Sequence, residues 1–224
     1  MKYEFNDTLA FSQGRQQQTD LDTIRHLFCG CVRVVKTDLK VDKTGTDYVA
    51  TLRGGRAINI DAKTRQKGAS KYWKNGQPEL ALEVWSVRPR GKFNMPVERQ
   101  KTGWTLSESN TAEYILFSWH ALDCDQVFLM PFQLLRIAFR NRLPEWSGKY
   151  KTGIEETTKN GFQYESECVF VPHNIVWNAV LESGRGLNWS YVRSESINGS
   201  TQVNAVKQAN GQILIKDADG KPWV

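Results

Sequence analysis

Residues 57–67 read AINIDAKTRQK, with an aspartate two places before a lysine. In an extended strand, residues two apart project to the same face, so the Asp61 carboxylate and the Lys63 ammonium stand side by side. The plainer account of such a pair is a surface ion pair at the end of a strand. The sharper one is half of a site in which carboxylate oxygens hold a hard divalent cation and an ammonium meets developing negative charge. That account needs a second carboxylate, and Asp47, which begins the preceding run DYVATL, is the nearest one upstream.

The two runs are joined by RGGR, residues 53–56. Gly-Gly between two β-type runs is a hairpin signal. A two-residue turn at Gly54-Gly55 sets Asp47 opposite Ala62, facing the wrong way. An odd-length loop or a glycine bulge instead brings it beside Asp61 or Lys63. The sharper account therefore commits this hairpin to an irregularity.

Around the hairpin, other elements can be read. TDLDTIRHLF, residues 19–28, has helical spacing of Leu21, Ile24 and Phe28, with Thr19 or Asp20 as cap. Residues 29–37, 79–87, 112–119 and 126–130 read as strands, and 131–142 as a helix opened by Pro131. Between them, residues 88–103 form a long basic connection with Gly and Pro, a type that tends to be functional or mobile. After Trp146 the pattern thins to a strand in 168–171, a break at Pro172, a short helix, and a terminal hairpin turning at Asp219-Gly220. The order predicts an α/β fold, a mixed central β-sheet flanked by helices. Residues 1–150 form its core, and residues 151–224 a C-terminal extension packing on it.

Composition narrows the classes. At 224 residues with 40% hydrophobic content the chain suits one well-buried core. No apolar run reaches membrane-spanning length, and MKYEFNDTLAFSQG has no signal-like apolar region, so a soluble, cytoplasmic protein with no membrane partner is expected. The four cysteines lack metal-ligand spacing and read as reduced, mostly buried thiols. His26, His120 and His173 are scattered, HALDCD reads as a turn between strands, and no phosphate-binding glycine motif is present. Lys plus Arg exceed Asp plus Glu by 30 to 24, an excess that permits nucleic-acid binding without demanding it.

Asp47 followed one hairpin later by Asp61-Ala62-Lys63 resembles the motif of the PD-(D/E)XK nuclease superfamily, which includes restriction endonucleases, Holliday-junction resolvases and phage-type exonucleases. The likeness spans residues 19–142, with Thr46 standing where the family often has proline. It implies a restriction-endonuclease-like core and a Mg²⁺-dependent deoxyribonuclease, with Mn²⁺ able to substitute. Asp47 and Asp61 would ligate the ion with the backbone carbonyl of Ala62, and Lys63 would orient the attacking water or stabilise charge. Glu83 is a further candidate ligand, though a half-covered sheet equally lets it face solvent. Asp22 is a candidate helix acid, though it and Asp20 also suit the first turn of a helix. Arg65, Lys67, Lys71 and Trp73 are candidate DNA contacts by charge and stacking. The resemblance further implies a phage or mobile-element enzyme, with a homodimer as a candidate assembly. Two alternatives stand beside it: a non-cutting nucleic-acid-binding relative, and a protein-interaction module.

Overall fold

The computed structural model describes residues 3–4, 16–28, 30–38, 44–65, 73–74, 77–120, 125–159, 161–185, 192–197, 203–207 and 213–216. Among these residues the fold is mixed α/β. In chain order the elements are β1 (Tyr3–Glu4), α1 (Gln16–Leu27), β2 (Cys31–Lys36), β3 (Tyr48–Leu52), β4 (Ala57–Arg65), β5 (Trp73–Lys74), β6 (Gln77–Val87) and β7 (Lys101–Thr102). They continue with β8 (Tyr114–His120), β9 (Asp125–Pro131), α2 (Phe132–Lys149), β10 (Lys151–Lys159), β11 (Phe162–Pro172) and α3 (His173–Ser183). Three short strands follow: β12 (Val192–Ile197), β13 (Val203–Lys207) and β14 (Ile213–Lys216).

One sheet has the order β14-β13-β12-β9-β8-β4-β3-β2 and is mixed, because β4 and β8 run parallel. The other has the order β1-β10-β11-β6-β5, with β7 also on β6. The first sheet is covered on both faces. Ile24 and Leu27 of α1 pack on Tyr48, Ala50, Ile58 and Ile60. On the opposite face Ile115, Phe117 and Trp119 of β8 meet α2, α3 and the β6–β11 strands in the larger core. Burial on both faces is why YILFSW reads as a continuous apolar run.

Several expectations change. Helix α2 continues past residue 142 through Pro144 to Lys149. Trp146, 1% exposed and with its ring tilted against that of Phe139, anchors these last turns in spite of the proline. Pro131 is the N-cap of α2, not its first helical residue. A long hairpin, β10–β11, stands where the sequence pattern thinned. Residues beyond 150 are built into both sheets: β11 joins β6 with β10 on its other edge, and β12 joins β9. The basic connection is clamped, since Glu165 accepts the Lys92 amide (2.8 Å), Glu167 pairs with Arg88 (2.8 Å) and Glu156 with Lys92 (2.8 Å). The last described strand, β14, pairs antiparallel with β13, and the expected turn at Asp219-Gly220 lies outside the described residues. Residues 121–124 of HALDCD are likewise outside them, between the paired strands β8 and β9. Cys31 and Cys168 are partly buried. No helix among the described residues is long and apolar enough to cross a membrane.

Candidate active site

The hairpin register sets the site. Tyr48 pairs with Ile60 and Val49 with Asn59, which puts Asp47 opposite Asp61. The shift comes from a three-residue loop: Gly55 N–H donates to Leu52 O (2.8 Å), Leu52 N–H donates to Arg56 O (2.9 Å), and Gly55 takes φ +82°. Only glycine adopts that backbone region cheaply. The irregularity required by the sequence is thus present, and it is the odd-length loop. Asp47 is fixed by its own Oδ2, which accepts from the Ala62 amide at 2.7 Å. Thr46, just before Asp47, is buried and bonds Thr111 Oγ1 at 3.0 Å.

Asp61 is 1% exposed. Lys63 Nζ lies 2.5 Å from its Oδ1, and Asn110 Nδ2 donates to its Oδ2 at 3.3 Å. Burial pushes the Asp61 carboxyl up to about 7. The Lys63 ammonium pulls it down, and the adjoining Asp47 carboxylate pushes it up again. Burial works against the Lys63 ammonium, but Asp61, Asp47 and Glu83 outweigh it and raise the pKa. The ammonium also sits 5.2 Å from the centroid of the Trp104 ring.

Glu83 faces inward. Its Oε2 accepts from the Trp104 amide (2.9 Å) and from Ser86 Oγ (2.6 Å), while its own amide donates to Thr105 Oγ1 (3.0 Å). A cleft of about 900 Å³ opens beside these groups, lined in part by Gly45, Ser86, Lys101, Trp104, Asn110 and Arg140. Three of its lining residues touch the site: Asn110 reaches Asp61, Trp104 underlies Lys63, and Ser86 holds Glu83. Asp47, Asp61 and Lys63 therefore share one face of the hairpin, Glu83 acts on the Lys63 charge, and their neighbours Asn110, Trp104 and Ser86 line the cleft.

The remaining candidates fall elsewhere. Asp22 is 60% exposed and paired with Arg25 (3.1 Å), on a helix covering the opposite face of the sheet. Asp20, which shares the inward stripe with Ile24 and Leu27, is buried and accepts from Tyr48 Oη at 3.0 Å, also on that opposite face. Both acids lie within α1 rather than at its start, so neither is a cap. Arg65 closes β4 and Trp73 begins β5, but their side chains, like Lys67 and Lys71 entirely, lie outside the described residues. Sequence reasoning missed Asn110, Trp104 and Gly45. Nothing local marks Asn110, which reaches Asp61 from 49 residues away.

The donor set fits a hard cation. Two carboxylates in contact, one of them buried and held in a high pKa range, repel each other, and a divalent ion relieves that repulsion. Among the described residues no group of three or more His, Cys, Asp or Glu side chains is placed to hold an ion. No family model, curated protein or solved structure matches this chain.

Proposed function

We propose that the protein is a metal-dependent nuclease that hydrolyses DNA phosphodiester bonds. The observation that carries this reading is the register of the β3–β4 hairpin, which sets Asp47 beside Asp61 with Lys63 on the same face. Asp47, Asp61 and the Ala62 carbonyl are the ligands assigned to Mg²⁺, or to Mn²⁺ in its place, with Glu83 close by. When bound, the ion supplies charge neutralisation at the phosphate and makes water more acidic. In the reaction, the oxygen of water bonds to phosphorus and an ester P–O bond breaks. The leaving oxygen departs with the proton that water gives up. Lys63, held by Asp61 and backed by Trp104, stands ready to orient that water or meet the negative charge. Asn110 holds the second oxygen of Asp61, fixing the carboxyl plane.

The test is cleavage of linear, circular and branched DNA, with RNA in parallel, in Mg²⁺, Mn²⁺ or EDTA. Wild type is expected to cut only with metal, and Asp61→Ala and Lys63→Ala to lose about 10²–10⁴-fold in rate. Salt-sensitive binding without cutting on any substrate would identify a non-cutting nucleic-acid-binding protein instead. Neither cutting nor binding would reduce Asp61 and Lys63 to a strand-end ion pair and favour a protein-interaction module.

A further inference from the structure

Helix α2 carries a buried cation that Glu108 reaches only through charge, while Arg140 beside it repels it. Arg136 is 8% exposed, and among the described residues no carboxylate lies within ion-pair distance of it. Its terminal nitrogens donate only to neutral oxygens at the long limit of a hydrogen bond: Gln133 Oε1 (3.4 Å) and the Asn110 carbonyl (3.4 Å). Its Nε is buried and bonded to nothing. The guanidinium lies 4.5 Å from the Phe132 ring, which offers a face to the cation but no charge. Arginine does not escape this cost by losing its proton, and a buried charge whose hydrogen-bond partners are all neutral is expensive.

One turn along the same helix face, Arg140 lines the cleft and pairs with Glu108 at 3.0 Å. That pair is exposed, 48% and 82% for the two side chains, and exposed pairs of this kind are weak. Asn110 links the two features to the carboxylates: its carbonyl accepts from Arg136, and its amide donates to Asp61.

We infer that Arg140 on the cleft wall, with Arg136 one turn behind it, forms a phosphate site in which the two guanidinium groups hold a phosphoryl oxyanion that displaces Glu108 from Arg140. Forked N–H donors match phosphate oxygens in pairs, which the present neutral acceptors do not. Glu108 occupies the position of that anion in its absence. With the cleft read as the channel of a nuclease, on which this step rests, the oxyanion is a phosphodiester beside the one attacked. The same chemistry also suits free inorganic phosphate.

The test measures binding in EDTA, where no cutting interferes, with two probes: a fluorescent single-stranded oligonucleotide followed by anisotropy, and inorganic phosphate followed by calorimetry. Arg136→Gln and Arg140→Gln are each expected to weaken binding about 10- to 100-fold and to lower the salt slope by about one. Arg136→Lys should recover only part of the loss, and Glu108→Gln should tighten binding. Arginine-dependent binding of either probe supports the site, and the probe that binds names the source of the phosphate. Wild-type binding of neither probe overturns it. So does binding that is unchanged in Arg140→Gln and Glu108→Gln, two exposed substitutions that keep the test valid if Arg136→Gln fails to fold. Cleavage in Mg²⁺ separates the two claims. A wild type that binds through these arginines but never cuts sinks the nuclease reading alone. Cutting at unchanged KM in Arg136→Gln and Arg140→Gln sinks the phosphate site alone.

Discussion

His173 opens α3 with its ring centroid 4.2 Å from that of Phe128, and its Nδ1 is buried with no hydrogen-bond partner. Burial lowers its pKa from 6.5 to about 4. The folded chain thus resists the proton that the unfolded chain takes up below 6.5. The stability this group contributes is full above 6.5 and is lost as pH falls toward 4, by up to about 3 kcal/mol. In urea denaturation at pH 7 and pH 4.5, wild type should lose more stability than His173→Phe, the difference isolating this group. Equal losses in both would show that the imidazole titrates normally in the fold. At the same scale, the sequence spacing alone settled that Asp61 and Lys63 share a face. It could not tell which acid of α1 points inward, because the phase of a helix depends on what packs against it.

At the scale of elements, two glycines share φ +82° but differ in surroundings. A Cβ at Gly55, in the hairpin loop, meets nothing within 4 Å, whereas at Gly45 it would lie 2.5 Å from Asn110 side-chain atoms. Gly55→Ala should therefore cost only the left-handed backbone term, about 1–2 kcal/mol. Gly45→Ala should cost more and should also slow cleavage, by moving the amide that holds Asp61. Chemical denaturation and cleavage rates for the two variants, side by side, check this; equal costs and equal rates would detach Gly45 from the site. The hairpin itself was legible in outline, because strict alternation in AINIDAK leaves one register that is useful and the glycines supply the means. Strand β10 was not legible. KTGIEETTK is largely exposed along its length, so no alternation marks it, and its pairing with β11 is what makes it a strand.

Over the whole molecule, the larger core is closed by residues far apart in sequence. Val169, Val171, Val176, Trp177 and Val180 come from beyond residue 150 and pack on β8, β9 and α2. Burying a side chain of this size contributes about 1.5–3 kcal/mol, and five together rival the ~5–15 kcal/mol net stability of a domain. A chain ending at residue 150 is expected to lack a cooperative thermal transition and to bind a hydrophobic dye. A sharp melt for that fragment would show instead that the first 150 residues fold alone. The clamped basic connection belongs to this scale too, since its glutamate partners lie on β10 and β11, beyond the same point.

The sequence by itself determined the strands and helices whose period is strong, the mixed α/β class, and the shared face of Asp61 and Lys63. These follow from local geometry: period-2 alternation, helical spacing, and glycine where the backbone must turn left-handed. Only the tertiary structure decided that Asp47 meets Asp61, that Asn110 and Trp104 complete their surroundings, and that Arg136 is buried with no carboxylate of the described residues within ion-pair distance. Each of those depends on segments tens of residues apart being brought together, and their burial and charge exist only once the sheets and helices have packed.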